Sequence, residues 1–99
     1  MSALQFTNEA DFEASPVVRR ARSQIARLQA VIDYGEGDIG RAVQIRDILE
    51  GSILHCREHE AIMAVRGQDC QLSYTLNDWS PAVNGVCWLM DNAEREAAE

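Results

Sequence analysis

From Asp38 to about Arg66 the chain carries apolar side chains at helical spacing and no proline. Ile39, Ala42, Val43, Leu49, Ile53, Leu54, Cys56 and Ala61 share one side of a helical projection; Ile45 and Ile48 fall toward its flank, and Ile62 lies on the other side. The period predicts one long central helix over residues 38–66, capped by Asp38 and open to a bend at Gly51. Apolar coverage this broad predicts contacts on two sides, with neighbouring helices or with a second copy of the chain. A glycine in mid-helix costs about 1 kcal/mol relative to alanine. The simplest use of Gly51 is therefore close approach of a neighbouring backbone.

Upstream, Ser15-Pro16 is a helix-start signal. The serine side chain can accept from first-turn amides, and proline at the first helical position forfeits no hydrogen bond. A helix over residues 16–34 places Val17, Val18, Ala21, Ile25, Leu28, Val31 and Ile32 on one arc, with Arg19, Arg20, Arg22, Ser23 and Arg27 on the other. Gly35-Glu36-Gly37 closes it, since glycine takes the left-handed conformation at a helix end without steric cost. So short a connection lays the two helices antiparallel, as an αα-hairpin.

The remaining segments are less regular. In the tail of residues 1–14, Leu4 and Phe6 alternate with polar neighbours, as in a short strand or a tail tucked onto the domain, and Phe12 is the apolar residue ahead of the Ser15 cap. Gly67-Gln68-Asp69 reads as a turn. Over residues 70–78, Leu72, Tyr74 and Leu76 alternate as in a strand, while Leu72, Thr75, Leu76 and Trp79 fit a helical turn. The only candidate partner strand is residues 4–7, so a loop or short helix is favoured. Ser80-Pro81 repeats the start signal and predicts a third helix over residues 81–97, with Ala82, Val83, Val86, Cys87, Met90, Ala93 and Ala97 on one face. Asp91, Glu94, Glu96 and Glu99 make its end acidic, against the helix dipole, which predicts fraying.

Composition narrows the function classes. At 99 residues, 46% apolar and 25% charged, the chain suits a single globular domain, residues 1–99, with one modest core. No apolar run approaches the roughly 20 residues of a membrane span, and the first residues lack the pattern of a secretion signal, so no membrane partner and a cytoplasmic location are expected. Cys56, Cys70 and Cys87 would leave one thiol over from any internal disulfide and are expected reduced and buried. All nine basic residues are arginine, which removes phosphate-loop, Schiff-base and general-base lysine chemistry. The net charge of −7 runs −3 over residues 1–15, +3 over 16–46, −3 over 47–60 and −4 over 61–99. One basic helix inside an acidic whole argues against a nucleic-acid partner, and an acidic surface suits a basic protein partner.

Candidate chemistry is sparse. His55-Cys56-Arg57-Glu58-His59 matches the H-x-x-E-H pattern of the inverzincin metallopeptidases, in which two histidines one turn apart share a zinc ion beside a glutamate base. The resemblance covers five residues; those enzymes also use a downstream carboxylate from a separate helix and a substrate cleft. His55 and His59 remain a metal site only as an alternative, with no spacing that fixes further ligands. Cys56 and His55, adjacent on a helix, point in different directions and form no nucleophile–base pair. No cofactor motif and no catalytic grouping emerges, and no enzyme is expected.

Trp88 is the stronger feature. It projects opposite the Val83, Val86, Met90 and Ala93 stripe, with Asn84, Gly85 and Asn92 as helical neighbours. Small and polar flanks leave an indole accessible, and tryptophan is enriched among interface hot spots; cover by Trp79 or by the N-terminal tail is the competing arrangement. Arg19, Arg20 and Arg27 are either a solvated face or a docking face, for an acidic partner or for the acidic ends of this same chain. Glu58 and Glu60 mark an acidic cluster suited to nucleic-acid charge mimicry. The expectation is an all-α, three-helix domain with a long central helix and an αα-hairpin, open to pairing as a homodimer. Its expected function is that of a non-enzymatic interaction module: a small acidic regulator or inhibitor, of the kind phages and mobile elements encode, docking on another protein. The alternative is a metal- or redox-responsive helical domain using His55, His59 and the cysteines.

Overall fold

The computed structural model describes residues 8–98, with side chains through Asn92. Five helices follow one another: α1 Glu9–Ala14, α2 Pro16–Tyr34, α3 Ile39–His59, α4 Ala61–Val65 and α5 Gln71–Ala98, with no strand among the described residues. The protein is an all-α domain. The expected contributions of Leu4 and Phe6, and of the side chains of Ala93, Glu94, Glu96, Ala97 and Glu99, lie outside the described residues.

Helices α2, α3 and α5 pack against one another, and the short α1 and α4 pack together at one end. Side-chain bonds give the directions. Arg46 of α3 reaches back across the hairpin to Gln29 of α2 at 3.0 Å, as antiparallel neighbours do. Arg20 reaches Asn77 and Arg27 reaches Asn84, both at 3.1 Å. Seven residues along α2 thus correspond to seven along α5, so these two helices run parallel.

The hairpin forms as its turn residues require. Gly35, at φ 81°, ends α2 with its N–H donating to the Val31 carbonyl, and Asp38 caps α3 by accepting from the Arg41 amide at 3.1 Å. The core stripe of α2 is Val18, Ala21, Leu28 and Val31, all buried, with Val17, Ile25 and Ile32 packed at its margin. On α3 the buried stripe is Ala42, Ile45, Leu49, Ile53 and Cys56. Ile45 is therefore central where a flank position was expected, and Leu54, expected inside, is 50% exposed. The three- and four-residue steps from 42 to 56 hold one line on the helix, and Leu54 falls outside it.

Three boundaries differ from those that the sequence pattern predicts. The central helix of residues 38–66 breaks at Glu60, whose φ of −133° and ψ of 20° separate α3 from α4. The tail of residues 1–14 contains α1, capped by the Asn8 side chain, which accepts from the Asp11 amide at 2.8 Å. α1 seats Phe12 in the core at 1% exposure.

The third difference is the largest: α5 begins at Gln71 and carries Pro81 in its interior. Ser80-Pro81 does not start a helix, because Leu72, Leu76, Val83 and Cys87 form one continuous buried stripe through it. The proline ring sits on the exposed side. It removes the N–H that would bond the Asn77 carbonyl.

Nor does the Ser15 side chain cap α2. Its hydroxyl turns inward and donates to the Ala64 carbonyl at 2.8 Å.

Candidate functional site

The outward face of α5 presents Tyr74, Asp78, Pro81, Gly85 and Trp88 at four- and three-residue steps, with Asn77 and Asn84 beside them, all exposed. Trp88 is 64% exposed, the most of any large apolar side chain among the described residues, and Tyr74 is 53% exposed. Trp79 is partly buried against the core under the Arg41 guanidinium, 5.4 Å from its ring centroid, and does not cover Trp88. A cation over an indole face is itself stabilising.

Beside Trp88 an open groove of about 500 Å³ runs between α5 and the start of α3. Gly37, Asp38 and Arg41 form one wall; Ala82, Gly85, Val86, Trp88 and Leu89 form the other. Gly37 has φ 94°, a conformation that side chains strain to adopt, and a Cβ there would meet Leu89 Cδ2 at 3.9 Å. The hairpin thus turns tightly enough to bring its backbone onto α5.

The arginines of α2 are largely engaged within the chain. Arg22 makes a double contact with Glu13 of α1, at 3.2 and 2.8 Å, and Arg27 bridges Asp91 of α5 at 2.9 Å as well as Asn84. Acids from elements near both ends of the described chain therefore meet this basic face. Arg20 is held by Asn77. Arg19 is exposed and makes no side-chain hydrogen bond or ion pair with the described residues.

The two glutamates separate in role. Glu58 is exposed on α3. Glu60 is half-buried at the α3–α4 break, and its carboxylate accepts from the Gln71 amide at 3.1 and 3.3 Å. It thereby caps α5, completed by Ser73, whose hydroxyl accepts from the Cys70 amide at 2.9 Å. A carboxylate at a helix N-terminus is favoured by the helix dipole. Because this cap comes from eleven residues upstream, across a turn, the local pattern around residues 70–78 gives no sign of it.

The His55 and His59 rings lie 4.7 Å apart between centroids, tilted by 44°, both exposed on α3. Among the described residues no group of three or more histidine, cysteine or acidic side chains is placed to hold a metal ion. Cys56, turned toward the core on the same helix, is buried, and its thiol pKa is pushed up to about 12, chiefly by burial and then by the neighbouring Cys70. Burial likewise raises the pKa of Cys87. These thiols are protonated and inert at neutral pH, since the thiolate is the reactive form. No protein-family model, curated protein or solved structure matches the chain, and no helix among the described residues is long and apolar enough to cross a membrane.

Proposed function

We propose that the chain is a non-enzymatic interaction module, a small acidic regulator or inhibitor that docks on another protein through the outward face of α5. The observation that carries this reading is Trp88, 64% exposed at the mouth of the groove shared with Arg41. An indole left in water forgoes the favourable transfer of its ring, and nothing in the packing of α5 requires a large side chain there. Trp88 is the anchor of the docking face, Asn84 and Gly85 its flat surround. The −7 net charge, concentrated outside α2, favours a partner with a basic surface. Glu58 supplies charge that would imitate nucleic acid; Asp47 and Glu50 of α3 pair with Arg46 at 3.1 and 3.7 Å, and Glu60, committed to capping α5, contributes less.

The test compares wild-type chain, Trp88→Ala and Glu58→Gln as immobilised baits against the proteome of the source cell, with bound proteins quantified. The reading requires a protein retained by wild type and lost at least tenfold on Trp88→Ala, with helicity unchanged. A specific partner held equally by Trp88→Ala would move docking away from α5. Competition by duplex DNA for that partner would support charge mimicry, and indifference to DNA would remove it.

A further inference from the structure

We propose that the outward face of α5 pairs with the same face of a second copy, antiparallel and twofold-symmetric, centred on Pro81. This deepens the docking reading by naming one occupant of the Trp88 face. The first argument is the arrangement of the stripe. Tyr74 and Trp88 stand seven residues to either side of Pro81, about two turns or 10 Å each way, so all three lie on one line of the helix. Antiparallel pairing about Pro81 sets each copy's Trp88 against the other's Tyr74. Both rings, 64% and 53% exposed, are covered in one step, and such aromatic pairs are favourable beyond the area they bury.

The middle of the stripe is flat. Pro81 is exposed, and at Gly85 an added Cβ would meet nothing within 4 Å. Small residues there let two helix backbones approach closely.

Charge and hydrogen bonding match under the same operation. Asp78 and Gly85 lie on the α3 side of the stripe, Asn77 and Asn84 on the α2 side. A twofold axis across an antiparallel pair keeps each side with itself. Asp78 of one copy is thereby brought beside Gly85 of the other, whose groove carries Arg41 on its facing wall. On the α2 side, Arg20 and Arg27 donate to the amide oxygens of Asn77 and Asn84, which leaves the amide nitrogens as the donors of both side chains. Under the twofold, the Asn84 amide of one copy meets the Asn77 carbonyl of the other, freed within its own helix by Pro81. The proline that interrupts α5 thus supplies an acceptor about one turn from the centre of the contact.

Sedimentation velocity of the untagged, reduced chain across a concentration range tests this, with two variants. Gly85→Arg introduces bulk and charge where the monomer has open space, and it should weaken dimerisation at least tenfold with unchanged circular dichroism. Pro81→Cys, placed on the twofold axis, should form a disulfide-linked dimer under mild oxidation, because helix axes 8–10 Å apart bring facing Cα atoms within disulfide range. Glu58→Cys on α3 should remain monomeric on the same non-reducing gel. A chain monomeric at every concentration, or a dimer indifferent to Gly85→Arg that does not cross-link at position 81, overturns the pairing. A monomer that binds a heterologous partner through Trp88 overturns the pairing and leaves the docking reading standing. A Gly85-sensitive dimer whose partner ignores Trp88→Ala does the reverse.

Discussion

The Ser15 hydroxyl donates to the Ala64 carbonyl at 2.8 Å, across 49 residues of sequence and in a buried setting. This bond ties the start of α2 to the last turn of α4, and it spends the serine on tertiary structure instead of on its own helix. The same carbonyl also accepts from the Gly67 amide at 3.1 Å, so removing the hydroxyl leaves it one partner. Ser15→Ala should therefore cost about 1 kcal/mol, the net worth of one hydrogen bond, and not the larger penalty of a fully orphaned acceptor. A urea midpoint shift with unchanged slope would register it. A loss nearer 3 kcal/mol would mean that α4 detaches with the bond.

Glu60 occupies a second long-range junction. Its carboxylate caps α5 at the Gln71 amide while its own amide donates to the Cys56 carbonyl at the end of α3. Glu60→Ala should destabilise the fold by about 1 kcal/mol, the usual cost of deleting a cap. Amide exchange should quicken first at residues 71–73. Equal protection there in both proteins would place the start of α5 under the control of Ser73 alone.

These two junctions explain what the sequence makes legible and what it hides. Helix α2 and the hairpin are readable because their signals are local: Pro16 at the first turn, Gly35 and Asp38 at the corner, and apolar residues on a steady period between them. The start of α5 is hidden because its cap comes from Glu60, and Ser80-Pro81 offers a strong local signal that a continuous stripe of buried side chains, Leu72 to Cys87, overrides. Phe12 is the apolar residue ahead of Ser15 that the pattern picks out, but its place in the core depends on α1, which the weak pattern of residues 1–14 conceals. The exposure of Trp88 is readable from its polar neighbours. The groove beside it is not, since it depends on the hairpin turn meeting α5 at Gly37 and Leu89.

Stability at high pH should follow the buried thiols. Cys56 ionises at about 12 when folded, against an ordinary value of 9.0. Below pH 9 the thiol is neutral in both states and burial is fully compatible with folding. Between 9 and 12 the unfolded chain loses the proton first and is favoured. The urea midpoint should fall through this window, and Cys56→Val should flatten the decline. Glu13 acts with the opposite sign: its hydrogen bond with Arg22 holds its carboxyl below the usual value. That contribution is present at neutral pH and is lost as pH falls through the lowered value. Solvent reaches both side chains, 37% and 43% exposed, so the acid-side loss should be the smaller. Native protein should also react with an aromatic disulfide reagent only as fast as it opens.

Gly51 sits in the middle of α3 with no atom within 4 Å of an added Cβ, and its side of the helix is exposed. The expected close approach of a neighbouring backbone is absent among the described residues, so packing supplies no reason for glycine at this position. Its φ is not in the left-handed region either, so alanine fits the existing backbone. Gly51→Ala should therefore stabilise the fold by about 0.5–1 kcal/mol, mostly by narrowing the unfolded ensemble. Thermal and urea unfolding would both register the gain, and the dimer proposed through α5 should be unaffected, because Gly51 lies on another helix. A neutral or destabilising result would mean that α3 bends at Gly51 in solution, and amide exchange around residues 47–55 would then be faster than in the flanking turns.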